Sequence, residues 1–143
     1  MGNAEQPEIS KADYEALHAF RHALRRFLRF SEDGSRTAGL TGQQHQLLLA
    51  IKGQHERDWA TVTELAESLQ IRHHAAVGLV DRCERAALVA RSPDPRDRRQ
   101  VRVSLTEKGE RILTTLSARN LRELRALRQA LQAPLLENIR GED

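Results

Sequence analysis

The sequence has few aromatic residues, one cysteine and no long apolar run. Aromatic side chains make up 3% of the 143 residues, so the core must be built from aliphatic side chains, which favours helices over an all-β sandwich. The single cysteine, Cys83, excludes an internal disulfide framework. The longest apolar run, residues 47–51, is far too short to span a bilayer. Since the N-terminus has no basic segment followed by an apolar one, we expect a cytoplasmic protein without a membrane partner.

Positive charge is concentrated in one part of the chain. The net charge is only +3, but the basic residues are almost all arginine, which makes planar, bidentate contacts to phosphate and guanine. Residues 72–102 contain eight arginines and four carboxylates, so the remainder of the chain is slightly negative. This distribution predicts a polyanionic partner for residues 72–102. A solvated basic face with no partner is the alternative.

The spacing of apolar residues predicts a mainly helical chain with one β-hairpin. Thr41 and Gln44 form a capping-box pattern, and Thr63 is the expected N-cap of a later helix. The polar segment 32–35 should end the first helix, and Pro134 should interrupt the last one. The expected elements are, in order, a helix from Ser10, a helix from Thr41, an extended piece at 59–62, helices over 64–69 and 73–86, strands at 88–92 and 101–105 joined by a turn at 93–98, and a long helix capped by Thr106.

Two short helices joined by the three-residue turn 70–72 form a helix-turn-helix candidate. The second helix should bury a stripe made of Ala76, Val80, Cys83 and Ala87. Its opposite face contains Gly78, which costs about 1 kcal/mol relative to alanine in a helix. Close approach of a ligand would justify that cost. Because a basic hairpin follows at once, we predict a winged helix, in which the helix reads the major groove and the wing reaches the backbone or the minor groove.

The helical wheel and the hairpin tip give a set of candidate DNA-binding residues. They are Arg72, His73, His74, Ala75, Gly78, Arg82, Arg85, Asp94, Arg96, Arg98 and Arg99. Within this set, Arg96 should enter the narrow minor groove, with Asp94 directing it and Arg99 bracing the hairpin. In the alternative interpretation, these three residues form only a structural salt-bridge cluster.

Residues 63–109 resemble the winged-helix core of the MarR (multiple antibiotic resistance regulator) family. The most specific match is the wing pattern D-x-R-x-x-R, followed by V-x-L-T-x-x-G from Val103 to Gly109. The segment L-V-D-R at 79–82 also matches, and the flanking helices agree in order and length. The sequence departs from the family pattern at Ala87, where glycine is usual, and at residues 72–73, where a small hydroxyl residue is frequent.

The resemblance implies one MarR-like domain over residues 1–143, mainly α with a small β-hairpin wing. Its winged helix-turn-helix would occupy residues 41–105, and its N- and C-terminal dimerisation helices residues 10–33 and 106–140. It implies a homodimeric regulator of double-stranded DNA, and we expect a repressor released from a pseudo-palindromic operator by a small aromatic or phenolic ligand. The ligand pocket is expected near His22, Arg26 and His45. Independently, the apolar stripes on 10–30 and 113–131 exceed what a winged helix can cover, which indicates an interface.

Other function classes have less support. The sequence lacks a Gly-rich phosphate loop, H-E-x-x-H and G-x-S-x-G, so we do not expect an enzyme or a cofactor. His18 and His22 could supply half of a metal site, but no cysteine or carboxylate stands at ligand spacing, and we predict no metal. Cys83 lies on the buried stripe and is interpreted as a core residue rather than a sensor. A winged-helix protein-interaction module that does not bind DNA is the alternative function.

Overall fold

The computed structural model describes residues 6–139, and within them the chain forms five α-helices and one three-stranded antiparallel sheet. The elements are α1 (Lys11–Thr37), α2 (Gly42–Lys52), β1 (Trp59–Thr61), α3 (Val62–Leu69), α4 (His73–Arg85), β2 (Val89–Pro93), β3 (Val101–Leu105) and α5 (Glu107–Ile139). The predicted fold class, a mainly α winged helix with a small hairpin, is confirmed. None of the described helices is both long enough and apolar enough to cross a membrane.

Contacts divide the chain into two units. The central unit is Ser31–Arg119, and the terminal unit combines Met1–Phe30 with Asn120–Asp143. In the terminal unit, α1 buries Ala16 and Ala23. The same unit leaves a series of large apolar side chains exposed, namely Ile9, Tyr14, Leu17, Phe20, Leu24, Leu28, Leu121 and Leu124.

The central unit is built around the sheet, in which β3 lies between β1 and β2. Val103 of β3 pairs with Ala60 on one side and with Arg91 on the other. The core packed against it is aliphatic, as the composition requires, and consists of Leu40, Leu47, Leu48, Ile51, Ala60, Leu65, Leu79, Val80, Cys83, Leu88, Val89, Val103, Leu113 and Leu116. Leu113 and Leu116 therefore belong to this core, so the expectation that the whole stripe on 113–131 lies at an interface is wrong for these two leucines.

Three helices are followed by a residue in the left-handed conformation. It is Gln70 (φ 54°), directly after α3, and Gly39 (φ 82°) and Ala87 (φ 57°), two positions after the last residue of α1 and of α4. At the end of α4, the N–H of Leu88 donates to the carbonyl of Cys83 (2.9 Å), which is the Schellman pattern. Ala87 is thus exposed beyond the helix, and its predicted place on the buried stripe is wrong.

The junction between the wing and α5 explains the T-x-x-G pattern. The Thr106 hydroxyl donates to the carbonyl of Ala87 (2.6 Å) and accepts from the N–H of Gly109 (3.1 Å), which confirms Thr106 as the cap of α5. The Thr106 N–H donates to the carbonyl of Leu88 (3.0 Å). A Cβ on Gly109 would lie 2.1 Å from that carbonyl oxygen, so only glycine fits there. These residues fix where the last strand of the wing becomes helix.

The predicted end of the first helix at 32–35 is wrong, because α1 continues to Thr37. Ser35 is fully buried, and its hydroxyl donates to the carbonyl of Ser31 (3.0 Å), so this polar residue is satisfied within the helix. Gly34 is a packing position, since a Cβ there would lie 2.8 Å from Nη1 of Arg119. The polar residues and the glycine of segment 32–35 therefore lie within α1 and do not end it.

Two further boundaries differ from the prediction. α3 begins at Val62, because Thr61 and not Thr63 is its N-cap, with Glu64 as the reciprocal capping-box partner. α5 continues past Pro134 to Ile139. Proline fixes φ at a helical value, so a helix can pass through it with one backbone hydrogen bond missing. The capping box predicted for α2, from Thr41 and Gln44, is confirmed.

Candidate nucleic-acid interface

α4 presents the predicted face to solvent. Its buried side consists of Ala76, Leu79, Val80 and Cys83. Its exposed side contains five of the candidate residues, His73, His74, Ala75, Arg82 and Arg85, with Gly78 half-buried among them. Arg72, the exposed N-cap residue, makes no side-chain capping hydrogen bond. Every candidate on the helix except the half-buried Gly78 is thus open to a partner on this surface.

Gly78 has no packing requirement in the protein itself. Outside the backbone of its own helix, a Cβ built there would have Nη1 of Arg82 as its nearest neighbour among the described residues, at 3.5 Å, an ordinary contact with a flexible side chain. Gly78 also lies inside a regular helix, where glycine is less favourable than alanine. The missing side chain therefore has no structural explanation within this chain, unlike that of Gly109.

The wing turn, residues 94–100 between β2 and β3, contains a buried carboxylate that bonds to its backbone. Asp94 is only 6% exposed, and its Oδ1 accepts from the backbone N–H groups of Arg96 (2.8 Å) and Asp97 (3.4 Å). Oδ2 lies 3.5 Å from Nε of Arg102. The N–H of Arg96 is the main reason why the pKa of Asp94 lies below its ordinary value. Asp94 is therefore bonded to the backbone amide of Arg96, and its carboxylate is buried, unlike the exposed residues of the predicted DNA-binding set.

The alternative salt-bridge cluster of Asp94, Arg96 and Arg99 is wrong. In the part of the chain that the structure describes, the guanidinium groups of Arg96, Arg98 and Arg99 take part in no ion pair, and Asp94 pairs with Arg102 instead. Arg99 does contribute to the turn, but through its backbone N–H, which donates to Oδ1 of Asp97 (3.0 Å). Its side chain borders a cavity of about 220 Å³ together with Thr63, His73 and Gln100.

A second internal arginine pairs with the acids of α4. Arg91 of β2 contacts Oδ1 of Asp81 at 2.6 Å and Oε1 of Glu84 at 3.1 Å. Arg91 and Arg102 thus pair with three of the four carboxylates in residues 72–102. Over the described residues, the other arginines of this stretch form no ion pair, and they are Arg72, Arg82, Arg85, Arg96, Arg98 and Arg99. In the folded chain, the unpaired guanidinium groups therefore lie on α4, at its N-cap and on the wing turn.

Trp59 of β1 contacts two arginines. Cζ of Arg102 lies 3.8 Å and Cζ of Arg57 lies 4.3 Å from the centroid of its ring. Arg57 pairs in turn with Glu64. The pairing of β1 with β3 places Trp59 opposite Ser104 and so beside Arg102, and this register is not visible in the sequence.

The residues predicted to line a ligand pocket have different environments. His22 and Arg26 are exposed on α1 in the terminal unit, whereas His45 of the central unit is 1% exposed. Nδ1 of His45 lies 3.0 Å from the Ser35 hydroxyl, and burial lowers the pKa of His45. The pocket stays a prediction.

Neither the histidine pair nor the cysteine shows features of a metal or redox site. His18 and His22 stack with ring centroids 6.2 Å apart, and over residues 6–139 no group of three metal-ligating side chains comes together. Burial raises the pKa of the Cys83 thiol to about 11, so the reactive thiolate is disfavoured at neutral pH. Cys83 lies in the aliphatic core, as predicted.

Comparison with known proteins agrees with this geometry. The profile of the MarR family matches residues 38–100. The HTH-type transcriptional repressor NicR of Pseudomonas putida is 32% identical over 109 residues, which are 75% of this chain and 67% of NicR. The chain belongs to the MarR family. MarR-family proteins and the relatives found are transcriptional regulators and not enzymes.

Two further comparisons concern one curated relative and one solved structure. The transcriptional activatory protein BadR of Rhodopseudomonas palustris is 34% identical over 84 residues, which are 59% of this chain, and the match spans about half of BadR (48%). The solved structure of BpsR from Bordetella bronchiseptica, whose DNA binding is regulated by 6-hydroxynicotinic acid, superimposes with a TM-score of 0.62 at 22% identity. That comparison covers 88% of this chain and 96% of BpsR, and it establishes the shared fold.

Proposed function

We propose that this MarR-family regulator binds double-stranded DNA with the exposed face of α4 and with the wing turn. The observation that carries the proposal is the set of six unpaired arginines left by internal pairing of the nearby acids. Guanidinium groups bind phosphate and guanine in a bidentate manner. His74, Ala75, Gly78 and Arg82 would contact bases, while Arg72, His73 and Arg85 would lie nearer the phosphates. Arg96 would enter the minor groove.

We further propose a homodimer formed by the terminal helices, with residues 10–33 and 106–140 as dimerisation segments and 41–105 as the DNA-binding part. In support, α1 leaves Tyr14, Leu17, Phe20, Leu24 and Leu28 between 42% and 59% exposed, a larger apolar series than a monomer usually shows. A twofold dimer would place its recognition helices on half-sites about 34–36 Å apart, so a pseudo-palindromic operator is expected.

We propose repression as the direction of regulation and a small aromatic acid as the releasing ligand. NicR, which matches over the larger share of this chain, is a repressor, whereas BadR is an activator. BpsR responds to an aromatic acid. Arg26 and His22 stand one turn apart on α1 and could pair with a carboxylate.

The DNA and dimer proposals are tested together. Sedimentation at micromolar concentration should give the dimer mass, and fluorescence anisotropy should detect binding to a duplex that the wild-type protein selects from a random-sequence library. A monomeric mass would refute the dimer. Binding that is absent at low salt would favour the protein-interaction module instead.

The ligand proposal has its own test on the same complex. 6-Hydroxynicotinic acid and benzoate, added to the bound duplex, should raise the apparent Kd for DNA and shift the melting temperature of the free protein. Unchanged affinity and melting temperature with both acids would refute this ligand class.

A further inference from the structure

Trp59 occupies a position that the hydrophobic core does not explain. It is half-buried on β1, and the buried aliphatic cluster does not include it. The guanidinium groups of Arg57 and Arg102 both lie over its ring, at 4.3 and 3.8 Å from the ring centroid. Both cations are within the distance at which the ring quadrupole attracts them. Trp59 is thus contacted by two charged groups from different segments of the chain.

Each of these two arginines pairs with a carboxylate that also accepts a hydrogen bond from a backbone N–H group. Arg102 pairs with Asp94, whose Oδ1 accepts the N–H of Arg96 at 2.8 Å in the wing turn. Arg57 pairs with Glu64, whose Oε1 accepts the N–H of Thr61 at 3.1 Å in the capping box of α3. Trp59 and its two arginines therefore connect the wing turn to the first helix of the helix-turn-helix, the element that directly precedes the turn into α4.

We propose that Trp59, Arg57 and Arg102 form a wing connector that fixes the wing turn relative to the helix-turn-helix, so that Trp59 is a positioning residue for DNA binding. The inference rests on the proposed function, because the connector has a role only if the wing contacts DNA. Because both guanidinium groups are planar and lie against the same ring, the side chains of Arg57 and Arg102 have few orientations available. A wing turn that is already ordered loses less conformational freedom when it docks, which strengthens binding without adding a contact.

The geometry distinguishes the connector from an ordinary surface ion pair. Arg102 contacts Asp94 only at 3.5 Å, and its buried Nε has no hydrogen-bond partner among the described residues. Cζ of the same guanidinium group lies over the Trp59 ring, 3.8 Å from its centroid. Lysine would keep the charge but lose the planar stacking. Arg102→Lys therefore separates the geometric contribution from the charge.

The test compares Trp59→Leu, Trp59→Phe and Arg102→Lys on the selected duplex, at equal folded fraction measured by circular dichroism. Trp59→Leu and Arg102→Lys should each weaken binding about tenfold, and Trp59→Phe should restore most of the loss because it keeps an aromatic face. The matched control is Arg111→Lys on α5, where the arginine is exposed and pairs only with Glu107 at 3.8 Å. It should leave the affinity unchanged.

A double-mutant cycle shows whether the effect acts through the wing. The wing-neutral variant carries Arg96→Ala, Arg98→Ala and Arg99→Ala. If Trp59 positions these side chains, Trp59→Leu added to the wing-neutral variant should cause no further loss. An equal tenfold loss in both backgrounds would overturn the proposal, and so would unchanged affinity of Trp59→Leu and Arg102→Lys in a wild-type background. Failure of the wild-type protein to bind any duplex would instead refute the proposed function.

Trp59 is the only tryptophan, so its fluorescence reports on the connector without any substitution of the ring. Arg102→Lys removes one guanidinium group from the ring and should shift its emission to longer wavelength in the folded protein, whereas Arg111→Lys should not. If Trp59→Leu does not fold, this shift together with the tenfold loss in Arg102→Lys supports the connector. An unshifted emission with wild-type affinity overturns it.

Discussion

Gly78 provides a prediction in which stability and DNA affinity move in opposite directions. Gly78→Ala adds a Cβ that would lie 3.5 Å from Nη1 of Arg82, an ordinary van der Waals distance, so the protein accommodates it. Alanine is favoured over glycine inside a helix by about 1 kcal/mol. For a chain of this size, that gain corresponds to a rise in melting temperature of roughly 3 °C. Gly78→Leu should keep most of this gain, since leucine is also a good helix former.

The same substitutions should impair DNA binding, because bulk on this face keeps α4 out of the groove. Gly78→Leu should weaken binding to the selected duplex at least tenfold, since loss of one specific base contact costs about 1–3 kcal/mol. Thr114→Leu, at an exposed position of α5, is the control for added apolar bulk. Thermal melts and anisotropy titrations give both quantities. Wild-type affinity of Gly78→Leu would show that the face is wrongly assigned, and a lower melting temperature of Gly78→Ala would show that Gly78 is structural.

Three further predictions concern the central unit. Gly109→Ala should reduce the free energy of unfolding by about 3 kcal/mol or more in urea titrations, because its Cβ would lie 2.1 Å from the Leu88 carbonyl oxygen; a loss under about 1 kcal/mol would contradict this packing. Burial lowers the pKa of His45 in the folded chain below its ordinary value of 6.5. At a pH just below 6.5 the unfolded chain therefore binds a proton at His45 that the folded chain does not, so the free energy of unfolding should fall as the pH drops from 7 to 5. His45→Gln should flatten this pH dependence and the exposed His55→Gln should not; equal slopes in both variants would exclude His45 as the cause. Cys83 should not react with a thiol reagent in the native protein at pH 7.5, and fast stoichiometric labelling would refute its burial.

The spacing of apolar residues predicted the elements of the winged helix, because residues that pack into the aliphatic core recur at the period of their helix or strand. The stripe of α4 is buried at Ala76, Val80 and Cys83 as expected, but in β3 only Val103 is buried, because Val101 is exposed and Leu105 is half-buried. Local capping was also readable at Thr41 and Thr106, where the side chain bonds to a nearby backbone amide. These interactions depend on short sequence distances.

The misplaced features depend on contacts between distant residues. The continuation of α1 through 32–35 follows from burial of Ser35 beside His45, which no pattern within α1 indicates. The left-handed conformation of Ala87 could not be predicted from the sequence, because helix ends of this kind usually carry glycine at that position. The sequence shows the charges of residues 72–102 but not their pairing, and it is the pairing that separates internal arginines from unpaired ones. The register of β1 and β3 likewise decides that Trp59 meets Arg102.

The salt dependence of DNA binding tests the central claim most directly. If the unpaired arginines of α4 and the wing contact phosphates in a dimer, log Kobs on the selected duplex should fall linearly with log salt between 50 and 200 mM. With about six phosphates neutralised per dimer, the slope should be about −5. Arg96→Ala should reduce its magnitude by about one phosphate per protomer, while Arg111→Ala should not. A slope near zero, or one unchanged by Arg96→Ala, would contradict the assignment of this surface to DNA.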